Sequence, residues 1–160
     1  MDKPGAHTEG LKLLARRELS VEGVRARLEH RGFAPDDVAE AIGRLLESGA
    51  LDDGRVARAY ARTAVTVKGR GRLRIMQELL HMGIGKDIVA EALGEVFGEL
   101  DERRLIENAI RKKLHGRPAP RDQSEHVRLY QFLMRQGFST AAVAAALRAF
   151  RTARRDHDQD

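Results

Sequence analysis

Apolar residues in this chain fall in short stripes at helical spacing, parted by polar and glycine-marked stretches. Ile75, Leu79 and Met82 recur at i, i+4 and i+7, which lines one face of an α-helix. Gly83 follows, suited to the left-handed residue that closes a helix, and Ile84 is placed to fold back on the stripe. The next stripe is Ile88, Val89, Ala92, Leu93 and Val96. A further helix is predicted ahead of such a pair. Leu51, Asp52 and Asp53 open one, with Val56, Ala59, Tyr60 and Thr63 on its inner face. Leu100, Asp101 and Glu102 open its counterpart, with Leu105, Ile106, Ala109 and Ile110. Near the start, Glu9–Glu18 with Leu11, Leu14 and Ala15 is a shorter equivalent. Acids in the first turn and bases later suit the helix dipole. Ser20, Ser124 and Ser139 precede helical patterns as N-caps.

The pattern repeats. Val38–Ile42 reads VAEAI, Val89–Leu93 reads VAEAL and Val143–Leu147 reads VAAAL, at shifts of 51 and 54 residues. The same shifts align Gly32 with Gly83 and Gly137, Phe33 with Ile84 and Phe138, Val24 with Ile75 and Leu129, and Leu28 with Leu79 and Leu133. The fold expected is therefore all-α: three tandem three-helix-bundle repeats, about nine helices, in an elongated and curved array. The expected divisions are a flexible N-terminus over 1–8, repeats over 9–50, 51–99 and 100–152, and a flexible tail over 153–160. The segment 115–123, HGRPAPRDQ, is the expected hinge or exposed loop inside the third repeat. One narrow stripe per helix leaves a triplet marginal alone, so neighbours must supply the missing burial. With a helix of ~15 residues roughly 22 Å long, three triplets in line span on the order of 60 Å. That shape suits an extended partner.

Composition narrows the function classes. The 160 residues contain no Cys and no Trp. Disulfides, thiolate catalysis and Cys-ligated zinc are excluded, and a reducing compartment is expected. No apolar run approaches the roughly 20 residues a membrane helix needs, and MDKPGAHTEG does not read as a signal peptide. The expectation is a cytoplasmic protein without membrane contact, acting as a monomer. The net charge of +5 is uneven: residues 100–160 hold 13 basic and 8 acidic residues, whereas residues 1–50 hold 8 and 9. Between Gly54 and Gln77 lie seven cations and no acid, and Arg supplies 23 of the 29 cations. The planar guanidinium fork matches carboxylate and phosphate, so an acidic or polyanionic partner is indicated.

Catalytic chemistry finds no constellation. Phosphate-loop and zinc-helix motifs are absent. Gly69–Arg70–Gly71–Arg72 sits between two helices and reads as a turn, though one able to meet a phosphate or an acidic partner ahead of a helix N-terminus. No two His share the i, i+4 spacing of a helical metal pair. His30 and His81 sit in equivalent places near helix ends, where a cation suits the dipole. The few aromatics fall on apolar stripes, which argues against single-strand binding by stacking. No catalytic residue, metal or cofactor is therefore expected, and the protein is not read as an enzyme.

Three runs carry a resemblance: LDDGRVARAYA at 51–61, KGRGRLRIMQELLHMGI at 68–84 and RLYQFLMRQGF at 128–138. Together they resemble the RecX regulatory proteins of bacteria, over residues 11–151. Asp53, Arg55 and Tyr60 match the first motif. Gly69, Arg74, Ile75, Gln77, Glu78, Leu79 and Gly83 match the second. Tyr130, Phe132, Leu133, Gly137 and Phe138 match the third. Val56 stands where the family commonly places an aromatic, and Arg72 where Pro often follows the Gly. The resemblance implies a curved array of three-helix units. It also implies binding in the groove of the RecA filament on single-stranded DNA, with modulation, usually inhibition, of ATP hydrolysis, strand exchange and co-protease action.

That activity predicts a non-enzymatic clamp that touches adjacent protomers at once, so that weak contacts add through effective concentration. Recombinational repair and the SOS response would be regulated through it. The candidate partner- or DNA-binding residues are Arg55, Arg58, Arg62, Lys68, Arg70, Arg72 and Arg74 in the middle repeat. In the last repeat they are Arg111, Lys112, Lys113, Arg128, Arg148 and Arg151. Contact with single- or double-stranded DNA through these basic faces is a further expectation. The alternative is a helical-repeat DNA- or RNA-binding module that needs no RecA. Its weakness is that VAEAIGRLLESG and VAEALGEVFGEL are acidic or neutral, whereas a helix in a DNA groove is basic. A third reading is a scaffold for another filament or acidic protein.

Overall fold

The computed structural model describes the backbone of residues 4–157 and the side chains of residues 4–150. Within these limits the chain is helical throughout, with no strand. The elements are α1 (Ala6–Arg16), α2 (Val21–His30), α3 (Pro35–Glu47), α4 (Asp53–Thr66), α5 (Arg72–His81), α6 (Lys86–Phe97), α7 (Glu102–Lys113), α8 (Gln123–Gln136) and α9 (Thr140–His157). The nine helices follow the threefold sequence repeat, three to a triplet.

Helix starts are set by side chains that satisfy orphan N–H groups. Ser20 Oγ accepts from the Gly23 N–H at 3.0 Å, Asp52 from Arg55 at 3.1 Å, Asp101 from Arg103 at 3.0 Å and Ser139 from Ala142 at 3.3 Å. The expected cap at Ser124 is corrected: Asp122 caps α8, accepting from the Glu125 N–H at 2.7 Å, and Ser124 lies inside the first turn. A carboxylate two residues earlier outcompetes the hydroxyl as acceptor. The helix ends also obey the repeat. The aligned Gly32, Gly83 and Gly137 have φ of +87°, +81° and +94°, the left-handed region that only glycine enters freely. Phe33 and Ile84 then donate back to the Leu28 and Leu79 carbonyls at 3.2 and 3.3 Å.

The expected inner faces need three corrections. Helix α1 begins at Ala6, inside the segment expected to be flexible, and it buries Ala6, Gly10 and Leu13 while Leu11 is 42% exposed. Helix α4 buries Val56, Ala57, Ala61, Ala64 and Val65, whereas Ala59 and Thr63 face outward. Its seam is a strip of alanines one residue away from the larger side chains that drew the sequence reading. Ile88 lies at the exposed margin of α6. At the other end α9 continues to His157.

The chain divides into two compact units. The first comprises the chain up to Tyr60 with Glu78–Gly94, and the second Ala61–Gln77 with the chain from Glu95 on. The first is built on Leu13, Leu19, Val24, Leu28, Val38, Ala41, Ile42, Leu45 and Leu51, with Leu14, Val21 and Phe33 packed on them. The second is built on Ile106, Ile110, Leu114, Leu129, Leu133, Phe138, Val143, Ala146 and Leu147. Each fully buried Leu, Ile or Val of this kind contributes about 1.5–3 kcal/mol.

Each unit contains one junction between successive triplets, and the two are equivalent in sequence. In the first, the Ser20 hydroxyl at the start of α2 donates to the Met82 carbonyl at the end of α5, at 3.0 Å. In the second, the Gly71 N–H at the start of α5 donates to the Gln136 carbonyl at the end of α8, at 2.6 Å, and the Leu73 N–H to the Gly137 carbonyl at 3.1 Å. The repeat shifts place Ser20 with Gly71 and Met82 with Gln136. Only backbone separates the partners in the second junction. A Cβ on Gly71 would stand 2.6 Å from the Gly137 carbonyl carbon and oxygen, and one on Gly137 would stand 2.4 Å from Arg74 N and Cβ.

Candidate functional site

Three of the predicted cations come together in the second unit. Arg70, from the turn before α5, and Arg111 and Lys112, from the last turn of α7, rim an open groove of about 720 Å³. Val65, Leu100, Leu105, Ala109 and Phe138 form its apolar lining, and Asn108, His115 and Gly116 complete the wall beside the α7 end. No carboxylate lines it. Leu100 is 39% exposed, while Phe138 is 1% exposed.

The α7 end shapes this rim. The His115 N–H donates to the Lys112 carbonyl at 3.2 Å and the Gly116 N–H to the Arg111 carbonyl at 3.0 Å, closing the helix. His115 has φ +51°, the one non-glycine residue in the left-handed region among the described residues. The following segment, 115–123, expected as a hinge or exposed loop, is largely exposed and is also fastened by side-chain bonds. Arg117 grips Glu125 with both terminal guanidinium nitrogens at 3.0 and 2.5 Å, and its Nε donates to the Leu114 carbonyl at 3.2 Å. The Arg121 N–H donates to the same carboxylate at 2.5 Å. The hydrogen bonds from Arg117, then that from the Arg121 backbone, pull the Glu125 pKa from 4.5 down to about 2.

The other predicted cations are distributed. Arg55 is occupied within the first unit: it pairs with Glu18 at 2.6 Å and donates to the Gly49 and Ala50 carbonyls at 3.0 and 3.2 Å. It holds the α3–α4 turn to the segment before α2. Arg58 lies on the same unit's part of α4, and Arg62 is exposed on the part in the second unit. Lys68 is exposed in the turn after α4. Arg72 stacks over Phe97 at 6.0 Å and Lys113 over Phe132 at 4.6 Å. Arg74 donates to the Arg135 carbonyl at 3.3 Å and Arg128 to Ser124 Oγ at 3.1 Å. Arg148 is exposed on α9, and the Arg151 side chain lies outside the described residues. Tyr60, from the first motif, donates its hydroxyl to Glu78, from the second, and both belong to the first unit.

The sequence reading missed a second basic cleft. In the first unit, Leu13, Leu19 and Ala26 floor a depression of about 510 Å³ edged by Arg16, Arg17, Arg27, His30 and Arg31. The balanced charge of residues 1–50 hides it, because the acids Asp36, Asp37, Glu40 and Glu47 sit on α3, outside its lining. Arg27 donates to the Gly23 carbonyl at 2.9 Å and Arg31 pairs with Glu9, which Lys12 also holds at 3.2 Å. The Lys12 hydrogen bond, with the charges of Lys12 and Arg31, holds the Glu9 carboxyl below its ordinary pKa. Nearby, Asp53 accepts from the Val21 N–H at 2.8 Å in place of capping α4. Partial burial pushes its pKa up, the Val21 hydrogen bond opposes this, and Asp52 and Glu22 add to the rise. Among the described residues no three His, Asp or Glu side chains are grouped to hold a metal ion, and no helix is long and apolar enough to cross a membrane.

Comparison with known proteins fits this architecture. Residues 6–45 match the model of the RecX first three-helix domain, and residues 52–93 that of the RecX second three-helix domain. The regulatory protein RecX of Halorhodospira halophila is 36% identical over 93% of both chains, and that of Chromohalobacter salexigens 33% identical over 87% of this chain and 88% of its own. A crystal structure of RecX from Lactobacillus salivarius, 17% identical, shares the fold over 92% of this chain and 95% of that one, with a TM-score of 0.74. A second crystal structure, of a regulatory protein RecX at 22% identity, gives 0.70 over 88% and 70%. With both domain models matched in order and relatives similar along nearly their whole length, the chain belongs to the RecX family of regulatory proteins.

Proposed function

We propose that this protein acts as a monomer in the cytoplasm on the RecA recombinase, lying in the helical groove of the filament that RecA forms on single-stranded DNA. There it lowers ATP hydrolysis, strand exchange and co-protease activity, and so restrains recombinational repair and the SOS response. Membership of the family, over nearly the full length of relatives named regulatory proteins, carries the reading. The basic groove of the second unit and the basic cleft of the first support it, since two separate attachment points on one chain raise the effective concentration of each. Among the thirteen predicted cations, Arg70, Arg111 and Lys112 are the partner contacts we favour, because they share one concave surface. Arg55 is the least suited, since its donors already serve the fold.

The rival, a nucleic-acid module independent of RecA, meets an obstacle on α3 and α6. The outward side chains of α3 include Asp36, Asp37, Glu40 and Glu47, and those of α6 include Asp87, Glu91 and Glu95. Such faces repel a phosphate backbone. Co-pelleting separates the two readings. The protein is expected to sediment with RecA filaments on single-stranded DNA and to stay in solution with the DNA alone at moderate salt. Equal sedimentation with and without RecA, weakening steeply as salt rises, would favour the rival.

A further inference from the structure

We propose that the groove of the second unit docks a short acidic peptide segment with one large apolar side chain, the apolar residue on the floor and its flanking carboxylates on the rim. This deepens the RecA reading, and rests on it, by naming the chemistry the protein would grasp on its partner.

Three observations carry it. The rim is of one sign: Arg70, Arg111 and Lys112 border the groove and no carboxylate lines it. Arg and Lys here face an approaching anion from two different elements, the turn before α5 and the end of α7. The floor is aliphatic and open, with Leu100 39% exposed beside Leu105 and Ala109. An exposed apolar floor is covered with gain only by an apolar group, and a groove of about 720 Å³ lies within the range of ligand sites. The third observation is His115. At φ +51° a glycine would be less strained, yet a ring-bearing residue occupies the position and lines the rim. Strain of this kind concentrates where a side chain is needed for recognition.

The same features separate an acidic peptide from a nucleic acid. A nucleotide chain brings phosphates for the rim but seeks aromatic faces for its bases. The groove's floor offers none: Phe138 is 1% exposed, and the His115 imidazole at the rim is the one other aromatic ring among the lining residues. Alternating carboxylates around a Leu or Phe satisfy rim and floor together.

The test uses the full chain and no RecA, so its outcome is independent of the co-pelleting experiment. A fluorescent ten-residue peptide of Asp and Glu with one central Phe is titrated by anisotropy, beside a twin carrying Ala in place of Phe and an oligothymidylate of equal charge. The Phe peptide is expected to bind about tenfold more tightly than the Ala peptide, the size of one desolvated anchor, and to resist displacement by the oligonucleotide. Lys112→Glu and Leu100→Gln should each weaken it severalfold with the helical content unchanged. His115→Gly should weaken it while leaving the fold as stable or more so. Equal affinity for the Phe and Ala peptides, ready displacement by the oligonucleotide, or indifference to Lys112→Glu and Leu100→Gln would each overturn the proposal. Loss of filament co-pelleting beside intact peptide binding would instead overturn the RecA reading alone.

Discussion

The two junctions between triplets occupy the same place in the repeat and are closed by different chemistry. At the first, a serine hydroxyl reaches the carbonyl at the end of the neighbouring helix, Ser20 to Met82. At the second, the side chain is gone and the Gly71 backbone N–H does the same work on Gln136. Removing the Cβ lets the helix start approach until two backbones touch, with Gly137 serving both as helix terminator and as the surface met. A side-chain bond tolerates adjustment, because the serine can change rotamer. A backbone-to-backbone bond requires one approach distance and forbids any side chain in between. The second junction is thus the more constrained, and it lies in the unit that carries the larger groove, next to Arg70.

Substitutions at the junctions should reproduce that difference. Gly137→Ala meets both a left-handed backbone and a contact of 2.4 Å with Arg74, so a loss of about 3–5 kcal/mol in denaturant unfolding is expected. Gly71→Ala meets the contact without the strain, and about 2–4 kcal/mol is expected. In either variant, hydrogen exchange at the Leu73 amide should speed up. At the first junction Ser20→Ala removes a helix cap and leaves the Met82 carbonyl without its donor, for about 1–2 kcal/mol. Equal losses at Ser20 and Gly137 would contradict the distinction.

Acid should separate the units as well. The Glu125 pKa is lowered to about 2, so its contribution to holding the α7–α8 loop is complete above the ordinary carboxyl value of 4.5 and fades as pH falls from there towards about 2. Backbone exchange across residues 114–122 should rise in that window, and Glu125→Gln should show the loosened loop already at neutral pH. Asp53 has the opposite sign. Its pKa is raised above 3.8, so the folded state holds the proton more tightly and stability is lost as pH rises through the raised value. Asp53→Asn keeps an oxygen for the Val21 N–H and removes the charge, and the smallest change of the set is expected at neutral pH, neutral or slightly stabilising by thermal melting.

The architecture was legible because helix formation and termination are local. The stripes at Ile75 and Leu79, the aligned Gly32, Gly83 and Gly137 and the VAEAI repeats each state a short-range preference that packing did not override. The seam of α4 was not legible. Burial there rests on Ala57, Ala61 and Ala64, whose small side chains give little hydropathic contrast, whereas Tyr60 and Thr63 suggest a face shifted by one position. The Ser124 cap failed because two acceptors lay within reach and sequence alone does not rank them. For the site, charge runs flagged Arg70, Arg111 and Lys112, but adjacency along the chain could not show that the first joins the other two. It also could not separate Arg55, saturated by Glu18 and two carbonyls, from a cation on a groove rim. The first unit's cleft stayed hidden because summed charge ignores which face each sign takes.

We propose above that this member of the RecX family restrains RecA on single-stranded DNA. Steady-state ATP hydrolysis by RecA filaments, measured as the protein is titrated in, tests it most directly. A fall in turnover that saturates below one protein per RecA protomer, and that is blunted by Lys112→Glu, is the result expected. Unchanged hydrolysis at stoichiometric excess of the wild-type protein would contradict the account.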